Sequence, residues 1–332
     1  MISAYTTSRN IVSMSYPFRE SLDSMLSFAD EVVVFDTSDE TDTTLTLLRE
    51  MALSRPKLKI YHASWDWTVP NFGVLDGLAK ARARSLCTGD FLFQADLDEL
   101  IHEDQSSLIE PLTRSTDWNK GEILNLPVIE FWGSSGKVRL DVNLWKWRLS
   151  VNNPDITHGI PQHLRKHEDG LLYANHGTDG CDYVSIRTGN PVRSQNVVPQ
   201  FMNEARFYLS KNNHKTGLEM IKTQVDQLTK EFPTVFHYSW WDIENKIRQY
   251  HKFWTGFWPS LYNETREERS NPFFPGLVWA EVSEQMIKTR AKELEEGCAG
   301  WIFHQPWDGT VTFGTTTNLD HPLVIKDRLG IN

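Results

Sequence analysis

The sequence predicts an α/β fold with a mixed, mainly parallel sheet flanked by helices and a C-terminal helical extension. Over the first hundred residues, short apolar runs alternate with segments of helical periodicity, which is typical of β-α-β units. From about residue 120, aromatic-rich strands and then helices follow. No run of apolar residues reaches the roughly 18 that a membrane-spanning helix needs.

Four strands and three helices are predicted in the first hundred residues. The strands are short apolar runs at residues 2–7, 31–35, 57–61 and 91–95. The helices between them have apolar residues at helical spacing, which in the first helix are Leu22, Met25, Leu26 and Ala29. Gly89 ends the third helix.

The second half of the chain has a different pattern. Strands are predicted at residues 123–131 and 144–149, and helices at residues 214–230 and 242–258. The run of threonines and glycines at residues 309–317 is predicted to be a surface loop. No internal repeat or low-complexity linker separates these segments.

The composition disfavours several classes of protein. The chain has 332 residues, a formal net charge of −10 and 13 tryptophans. A net negative charge repels polyanions, so neither a general nucleic-acid binder nor a membrane-surface protein is expected. The three cysteines lack metal-ligand spacing and the N-terminus lacks the apolar run of a signal peptide, which predicts a cytoplasmic protein with reduced thiols. The many aromatic residues indicate either a sugar-binding surface or an aromatic core.

Three carboxylates follow the fourth predicted strand: Asp96, Asp98 and Glu99. Ligands of open α/β sheets bind at the carboxyl ends of the strands, and Asp36 ends a second strand of the same predicted sheet. Two carboxylates with one residue between them can bind Mg²⁺ or Mn²⁺ and leave coordination positions open for phosphate oxygens. An exposed acidic turn is the alternative interpretation of so short a motif.

Three segments, in this order along the chain, resemble family-2-type glycosyltransferases of the A fold (GT-A). They are EVVVFDTSDETDT at residues 31–43, AKAR at residues 79–82 and GDFLFQADLDE at residues 89–99. Weaker similarities lie at residues 179–183 and 237–240. The resemblance covers about residues 1–100 and implies a GT-A fold, a nucleoside-diphosphate sugar as donor, with a UDP-sugar favoured, and transfer of the sugar to an acceptor hydroxyl.

The resemblance also implies which residues bind the nucleotide. Asp36 is expected to contact the base and the ribose. Lys80 and Arg84, four residues apart on one helical face, are expected to approach the diphosphate, with exposed helix charges as the alternative. Tyr16 is a candidate for stacking on the base. The other expected contacts are Thr7, Arg9, Ser38, Asp96 and Leu97.

The metal ion, Mn²⁺ or Mg²⁺, is expected on Asp96 and Asp98. In many A-fold transferases a histidine far downstream of the D-x-D completes the ligand set, and the resemblance assigns that role to His237. A strand-like run at residues 234–236 precedes His237. A buried structural histidine is the alternative.

An inverting transfer needs a general base that removes the proton of the acceptor. The resemblance implies a carboxylate well downstream of the D-x-D, and we favour Asp179 or Asp182 over Glu168 or Asp169. Glycines at positions 177 and 180 let the backbone turn sharply around Asp179 and present a carboxylate to a cleft. A surface turn is the alternative for this segment.

Residues 137–167 carry six basic residues against two acidic ones, in contrast to the chain as a whole. This stretch could bind the donor phosphates or an anionic acceptor, or it could be an ordinary surface. The expected acceptor is a glycan or another hydroxyl-bearing molecule. Hydroxyl-modified DNA is an alternative acceptor that the net charge opposes. The sequence does not predict the oligomeric state.

Two further functions compete with glycosyl transfer. In a phosphohydrolase Asp96 would be the nucleophile and Asp98 the acid, but such motifs follow the first strand of their fold rather than the fourth. A non-catalytic carbohydrate-binding protein would leave Asp36 and the acidic strand end without a role. We therefore predict a catalytic domain at residues 1–240, with a nucleotide-sugar-binding half (1–100) and an acceptor half (101–240), and an aromatic-rich helical extension at 241–332.

Overall fold

The computed structural model describes the N-terminal half of the chain almost completely and the C-terminal half in part. The described residues are 1–12, 14–64, 72–139, 145–159, 166–168, 171–173, 183–197, 223, 227, 230–249, 273–274, 277, 279–297, 313–315 and 319–331. Within these ranges the main sheet has eleven strands, and helices flank it. The predicted mixed sheet flanked by helices is confirmed.

Four parallel strands and three helices form the N-terminal half. The strands are β1 (Ile2–Ser8), β2 (Glu31–Asp36), β3 (Leu58–His62) and β4 (Phe91–Gln94). The helices are α1 (Phe18–Phe28), α2 (Thr44–Ser54) and α3 (Phe72–Ser85). The strands pair in the order β4-β1-β2-β3, and every one of these pairings is parallel. The β-α-β prediction for the first hundred residues is therefore confirmed.

Helices cover both faces of this parallel sheet. Successive residues of a strand point to opposite faces. Ala4 of β1 belongs to the core cluster that contains Leu22 and Met25 of α1. Its neighbour Tyr5 belongs to the cluster that contains Ala79 of α3. Because both faces are buried, these strands are continuous apolar runs rather than alternating ones.

The strand order creates a switch point between β1 and β4. Strands β2 and β3 lie on one side of β1, whereas β4 lies on the other side of β1. Connections that leave in opposite directions open a crevice beyond the carboxyl ends of the two central strands. Asp96 and Asp98 follow β4 and therefore lie at this crevice.

The second half of the sheet continues from β4. After two short helices, α4 (Glu103–Ser106) and α5 (Ile109–Ser115), the chain forms most of the remaining strands. Strand β8 (Trp145–Val151) pairs antiparallel with β4 and with β6 (Ile123–Trp132). Strand β14 (Val235–Trp240) pairs parallel with β6 and antiparallel with β5 (Glu99–Ile101). The strands are β5 (Glu99–Ile101), β6 (Ile123–Trp132), β7 (Lys137–Arg139), β8 (Trp145–Val151), β13 (Ser194–Asn196) and β14 (Val235–Trp240). The strands predicted at 123–131 and 144–149 are thus confirmed.

Two small hairpin-like sheets lie beside the main one. Strand β9 (Ile156–His158) pairs antiparallel with β12 (Tyr183–Ser185), and β10 (Lys166–Glu168) pairs antiparallel with β11 (Leu171–Tyr173). The sequence pattern does not predict these three-residue strands, because they are too short to show a period of two.

The C-terminal segments pack against the sheet. Residues 243–249 are helical, and α6 (Glu284–Gly297) and α7 (Leu323–Leu329) follow. Trp132 and Trp240 stack with ring centroids 5.1 Å apart and share a core cluster with Ile247 and Leu294. These two tryptophans are therefore core residues and do not form a sugar-binding surface. Among the residues described, no helix combines the length and the apolar character needed to cross a bilayer.

One prediction in this region is wrong and another is tested only in part. Residues 313–315 of the predicted surface loop form strand β15, which pairs antiparallel with β7. Backbone pairing with an available edge strand overrides the turn tendency of threonine and glycine there. The helix predicted at 242–258 is confirmed for residues 243–249, and its remainder lies outside the described residues, as does most of the helix predicted at 214–230.

Candidate active site

Asp36 organises the end of β2. Its side chain is fully buried, and its Oδ1 accepts hydrogen bonds of 2.7 Å from both Ser8 Oγ and Ser38 Oγ. Its Oδ2 lies 2.9 Å from His62 Nδ1. The expectation that Asp36 contacts the base and the ribose stays a prediction, and in this structure the partners of its carboxylate are Ser8, Ser38 and His62. A carboxylate that already accepts three side-chain bonds fixes the loops around it.

The loops that follow β1 and β2 hold each other. Asn10 has a left-handed backbone (φ 50°), and its Nδ2 donates to Asp39 Oδ2 at 2.6 Å. Asp39 N donates back to Asn10 Oδ1 at 3.0 Å, and Asn10 N donates to Ser38 Oγ at 2.9 Å. Arg9 is ion-paired with Asp39 at 3.5 Å. Thr7 and Arg9 are partly exposed at this edge, whereas Ser38 is buried.

The turn that carries the D-x-D is fixed by hydrogen bonds from α1 and from within itself. Ser21 Oγ lies 3.1 Å from the Asp96 carbonyl and 2.7 Å from the Glu99 carbonyl. Asp96 N donates to Glu99 Oε2 at 3.1 Å. The side chain of Leu97 is buried in the core cluster with α1, so its expected contact with the donor is not made by its side chain.

Asp96 has cationic partners on two elements. Lys80 Nζ on α3 lies 3.2 Å from Asp96 Oδ1, and Arg148 Nη2 on β8 lies 3.7 Å from Asp96 Oδ2. Gln94 Nε2 donates to Asp96 Oδ1 at 2.9 Å. Burial alone would raise the pKa of Asp96, but the charges of Lys80 and Arg148 outweigh it and hold the pKa well below its usual range. The expectation that Lys80 approaches the diphosphate stays a prediction, and the structure places Lys80 at Asp96.

Glu99 anchors two cations of strand β8. Its Oε1 accepts from Lys146 Nζ at 2.6 Å and from Arg148 Nη2 at 2.5 Å. Burial opposes ionisation of Glu99, yet Arg148 and Lys146 lower its pKa below the usual value. Two of the basic residues in the 137–167 stretch thus lie at the D-x-D. Lys137 lies elsewhere, where it donates to the carbonyl of Glu295.

Asp98 and His237 face each other across the same edge. His237 Nε2 lies 3.4 Å from Asp98 Oδ1, and His237 Nδ1 donates to Glu130 Oε2 at 2.5 Å. Burial would lower the pKa of His237, but Glu130 and Asp98 raise it to about 9. Burial would raise the pKa of Asp98, but His237 holds it well below its usual range. This contact places His237 beside Asp98, and its role as a metal ligand stays a prediction.

The donor set at Asp98 fits a divalent ion that takes few ligands from the protein. A carboxylate oxygen and an imidazole nitrogen both bind Mn²⁺, and a metal-bound histidine usually donates its other N–H to a carboxylate, as His237 does to Glu130. Among the described residues no three His, Cys, Asp or Glu side chains converge to hold a metal ion. Ions such as Mg²⁺ are commonly bound by one or two carboxylates, with substrate phosphates and water filling the other positions.

Arg84 does not take part in this edge of the sheet. Its side chain is buried, and its guanidinium donates to the Ile156 carbonyl, to Ser150 Oγ and to the Val151 carbonyl at 2.8–3.0 Å. The expectation that Arg84 approaches the diphosphate is wrong in this structure, because its helical turn faces β8 and β9. Arg84 instead ties α3 to those strands.

Tyr16 lies within electrostatic reach of the D-x-D carboxylates. Its hydroxyl is 3.2 Å from Lys246 Nζ. Burial and then the charges of Asp98, Asp96 and Asp76 raise the pKa of Tyr16 far above its usual value. The stacking of Tyr16 on the base stays a prediction, and the contact that the structure shows is the polar one with Lys246.

The candidate general bases lie outside the described residues. These are Asp179 and Asp182, and Asp169 among the less favoured candidates. The first described residue after them is Tyr183, whose hydroxyl is 3.1 Å from Tyr5 OH on β1. His158 Nε2 lies 2.5 Å from the same Tyr5 hydroxyl.

Sequence reasoning missed Glu130 and His62. Glu130 is the one charged residue in the largely apolar run of β6, and this was the available signal, because a buried charge in such a run requires a partner. His62 ends β3 next to Asp36, so the parallel register would have predicted the contact once β2 and β3 were paired.

The comparisons with known proteins return only distant structural likenesses. No protein-family model and no curated protein sequence matches the chain. The structure of S. aureus TarS, 16% identical, matches 70% of this chain and 44% of that one, with a TM-score of 0.34. TarS 1–349 in complex with UDP-GlcNAc is 13% identical over 96% of this chain and 98% of that one (TM-score 0.34). Mannosyltransferase PcManGT from Pyrobaculum calidifontis, in complex with GDP-Man and Mn²⁺, is 20% identical over 38% and 34% (TM-score 0.29). TM-scores this low do not establish a shared function.

Proposed function

We propose that the chain is a metal-dependent glycosyltransferase of the GT-A type, which transfers a sugar from a nucleoside-diphosphate sugar to an acceptor hydroxyl. One observation carries the proposal. Asp96 and Asp98 follow the central strand β4 at the switch point of the sheet, where Lys80, Lys146 and Arg148 surround them. Such a mixed ring of carboxylates and cations can hold both a divalent ion and a diphosphate.

The charges at this edge suit a diphosphate leaving group. The leaving group gains negative charge as the bond between its oxygen and the anomeric carbon breaks. A Mn²⁺ or Mg²⁺ ion held at the D-x-D by Asp98 and His237, which lie 3.4 Å apart, would supply positive charge at that oxygen. Lys80, which is 3.2 Å from Asp96, adds a fixed positive charge beside the same phosphates.

The nucleoside lies over the ends of β1 and β2 in this proposal. Thr7 and Arg9 contact the nucleoside, since among the residues expected to bind it at this edge these two are partly exposed. Asp36 and Ser38 support the loops that carry Thr7 and Arg9, because their polar atoms are hydrogen-bonded to each other and to the loop backbone. A UDP-sugar is the favoured donor.

The acceptor half completes the reaction. Asp179 or Asp182 takes the proton of the acceptor hydroxyl as its oxygen attacks the anomeric carbon and the nucleoside diphosphate leaves from the opposite face, which gives inversion. The favoured acceptor is a glycan or another hydroxyl-bearing molecule, and nucleic acid is not expected because of the net charge of −10.

The proposal is tested by measuring release of UDP from a panel of UDP-sugars in the presence of Mn²⁺. Asp98→Asn is expected to lower the rate by about 100-fold or more, because it removes charge that acts on the leaving group. Asp117→Asn, at an exposed position, is the matched control and is expected to keep the wild-type rate. Circular dichroism spectra of both variants check the fold.

Wild-type rates in a folded Asp98→Asn variant would contradict the proposal. Release of inorganic phosphate from phosphomonoesters, without use of nucleotide sugars, would favour a phosphohydrolase instead. Asp179→Asn and Asp182→Asn identify the base. The variant that lacks the base is expected to transfer the sugar more slowly, while its affinity for UDP stays unchanged.

A further inference from the structure

We propose that Lys246 binds the phosphates of the nucleotide donor and that Tyr16 is its positioning residue. This inference rests on the proposed function and adds to it a phosphate-binding residue from beyond the predicted catalytic domain. Lys246 belongs to the helical residues 243–249, which follow β14. No sequence motif of the first hundred residues points to it.

Lys246 is a buried cation held at one place. Its residue is 4% exposed, and its Nζ donates to Ser239 Oγ at 2.7 Å and to Tyr16 OH at 3.2 Å. The ammonium also lies 5.0 Å from the ring centroid of Tyr16 and 5.5 Å from that of Trp240. These aromatic faces favour a cation and fix its position. Burying an ammonium has a high cost unless negative charge lies nearby.

The negative charge near Lys246 is the D-x-D. Ser239 follows Tyr238, whose backbone N–H donates to the Asp98 carbonyl at 2.8 Å. Ser239 and His237 are the half-buried positions of β14, between fully buried neighbours, and His237 Nε2 lies 3.4 Å from Asp98 Oδ1. Burial raises the pKa of Asp98, and the charge of Lys246, after that of His237, helps to lower it. Lys246 therefore lies within electrostatic reach of Asp98.

A lysine acts on each carboxylate of the D-x-D. Lys80 lies 3.2 Å from Asp96, and Lys246 acts on Asp98. When Asp98 binds a divalent ion, its negative charge is shared with that ion, and the charge of Lys246 is then balanced by phosphate oxygens. A lysine ammonium is a compact point charge that binds phosphate without a fixed orientation.

The position of Tyr16 is set by the C-terminal helix. Ser15, just before it, has a left-handed backbone (φ 55°). Arg328 on α7 donates to the carbonyls of Ser15 and Tyr16, each at 3.2 Å, and its Nε donates to Glu20 at 3.0 Å. This contact holds the Tyr16 hydroxyl against Lys246, so Tyr16 acts on the donor through Lys246 rather than by touching it.

The test is the affinity for UDP, measured by isothermal titration calorimetry with Mn²⁺ and again with EDTA. Lys246→Met is expected to weaken UDP binding at least about 10-fold with Mn²⁺, because the charge of Lys246 then acts on the phosphates, and to have a smaller effect with EDTA. Lys292→Met, on the exposed side of α6, is the control and is expected to bind UDP like the wild type. Lys246→Arg keeps the charge and is expected to retain part of the affinity.

A folded Lys246→Met variant that binds UDP within twofold of the wild type would overturn the assignment. If Lys246→Met does not fold, Lys246→Gln serves for the same comparison, since it keeps a polar side chain. The two proposals fail in different ways. Wild-type protein that does not bind UDP refutes the proposed function, whereas wild-type binding without an effect at Lys246 refutes this inference alone.

The positioning role of Tyr16 is tested by a double-mutant cycle. Tyr16→Phe is expected to weaken UDP binding about threefold in the wild type and to have no further effect in Lys246→Met. A structural role without connection to Lys246 predicts equal losses in both backgrounds, and that result would refute the positioning role.

Discussion

The residues of the D-x-D turn form an ion network rather than an isolated acidic cluster. Asp96, Asp98 and Glu99 are close in sequence and would repel one another if they were ionised alone. Lys80, Lys146, Arg148 and His237 lie within 2.5–3.7 Å of them, and the pKa of each carboxyl group is lowered. All three carboxylates are therefore ionised at neutral pH, as a metal site requires.

Arg84 is predicted to act on stability rather than on the donor. Arg84→Met removes the donor from two buried carbonyls and from the Ser150 hydroxyl. The free energy of unfolding, measured with urea, is expected to fall by about 2–4 kcal/mol, since each buried polar group left without a partner has a high cost. UDP affinity of the folded variant is expected to stay near the wild-type value.

Arg82→Met is the control for this prediction, because Arg82 is exposed on the same helix. It is expected to change the unfolding free energy by less than about 0.5 kcal/mol. An Arg84→Met variant with wild-type stability and weakened UDP binding would contradict this prediction and would indicate that Arg84 binds the diphosphate.

At this scale the sequence predicts the residues of the strand end better than their partners. Asp96, Asp98 and Lys80 lie in motifs with a recognisable local pattern, and the structure brings them together. The network around them depends on long-range pairing, since Arg148 comes from β8 and Glu130 from β6. Local periodicity contains no information on which distant strands become neighbours.

Among the elements, the amino ends of β1, β2 and β3 are tied together by one carboxylate. Glu31 accepts from Ser3 Oγ and Thr88 N, each at 2.5 Å, and is ion-paired with Lys59. Burial would raise the pKa of Glu31, but these partners lower it to about 2. This end of the sheet is opposite to the candidate active site, so its role is structural.

Glu31 is predicted to make stability depend on pH in acid. Its folded-state pKa is lowered from 4.5 to about 2, so its contribution is complete above pH 4.5 and is lost as the pH falls towards 2. The unfolding free energy of Glu31→Gln is therefore expected to fall less steeply than that of the wild type over this window. Thermal or urea unfolding at several pH values measures the slopes.

The exposed Glu50 on α2 provides the comparison variant. Glu50→Gln is expected to keep the wild-type slope between pH 4.5 and 2. Equal slopes in wild type, Glu31→Gln and Glu50→Gln would show that the contacts of Glu31 do not hold its pKa down in solution.

How far elements are predictable from the sequence depends on their length and burial. Strands β1 to β4 were predictable, because buried parallel strands are continuous apolar runs between helices of clear periodicity. Strands β5, β9 and β12 were not, because three residues are stabilised by their pairing partner rather than by their own pattern. Strand β15 was mistaken for a loop for the same reason.

Across the whole molecule, the candidate site needs residues from distant parts of the chain. Asp98 comes from the end of β4, Lys146 from β8, His237 from β14 and Lys246 from the helical residues that follow. The C-terminal segments also complete the core, since Leu294 and Phe273 pack with Trp132 and Trp240. Trp132 and Trp240 therefore pack the C-terminal segments against strands β6 and β14.

The most direct test of the central claim is a calorimetric titration of UDP into the wild-type protein and Asp98→Asn, with and without Mn²⁺. The D-x-D at the end of β4 is expected to bind the diphosphate through a divalent ion. Mn²⁺ should then strengthen UDP binding to the wild type by at least about 10-fold. For Asp98→Asn, the affinity for UDP should be the same with and without Mn²⁺. Equal strengthening by Mn²⁺ in both proteins, or no binding of UDP to the wild type under either condition, would contradict the account.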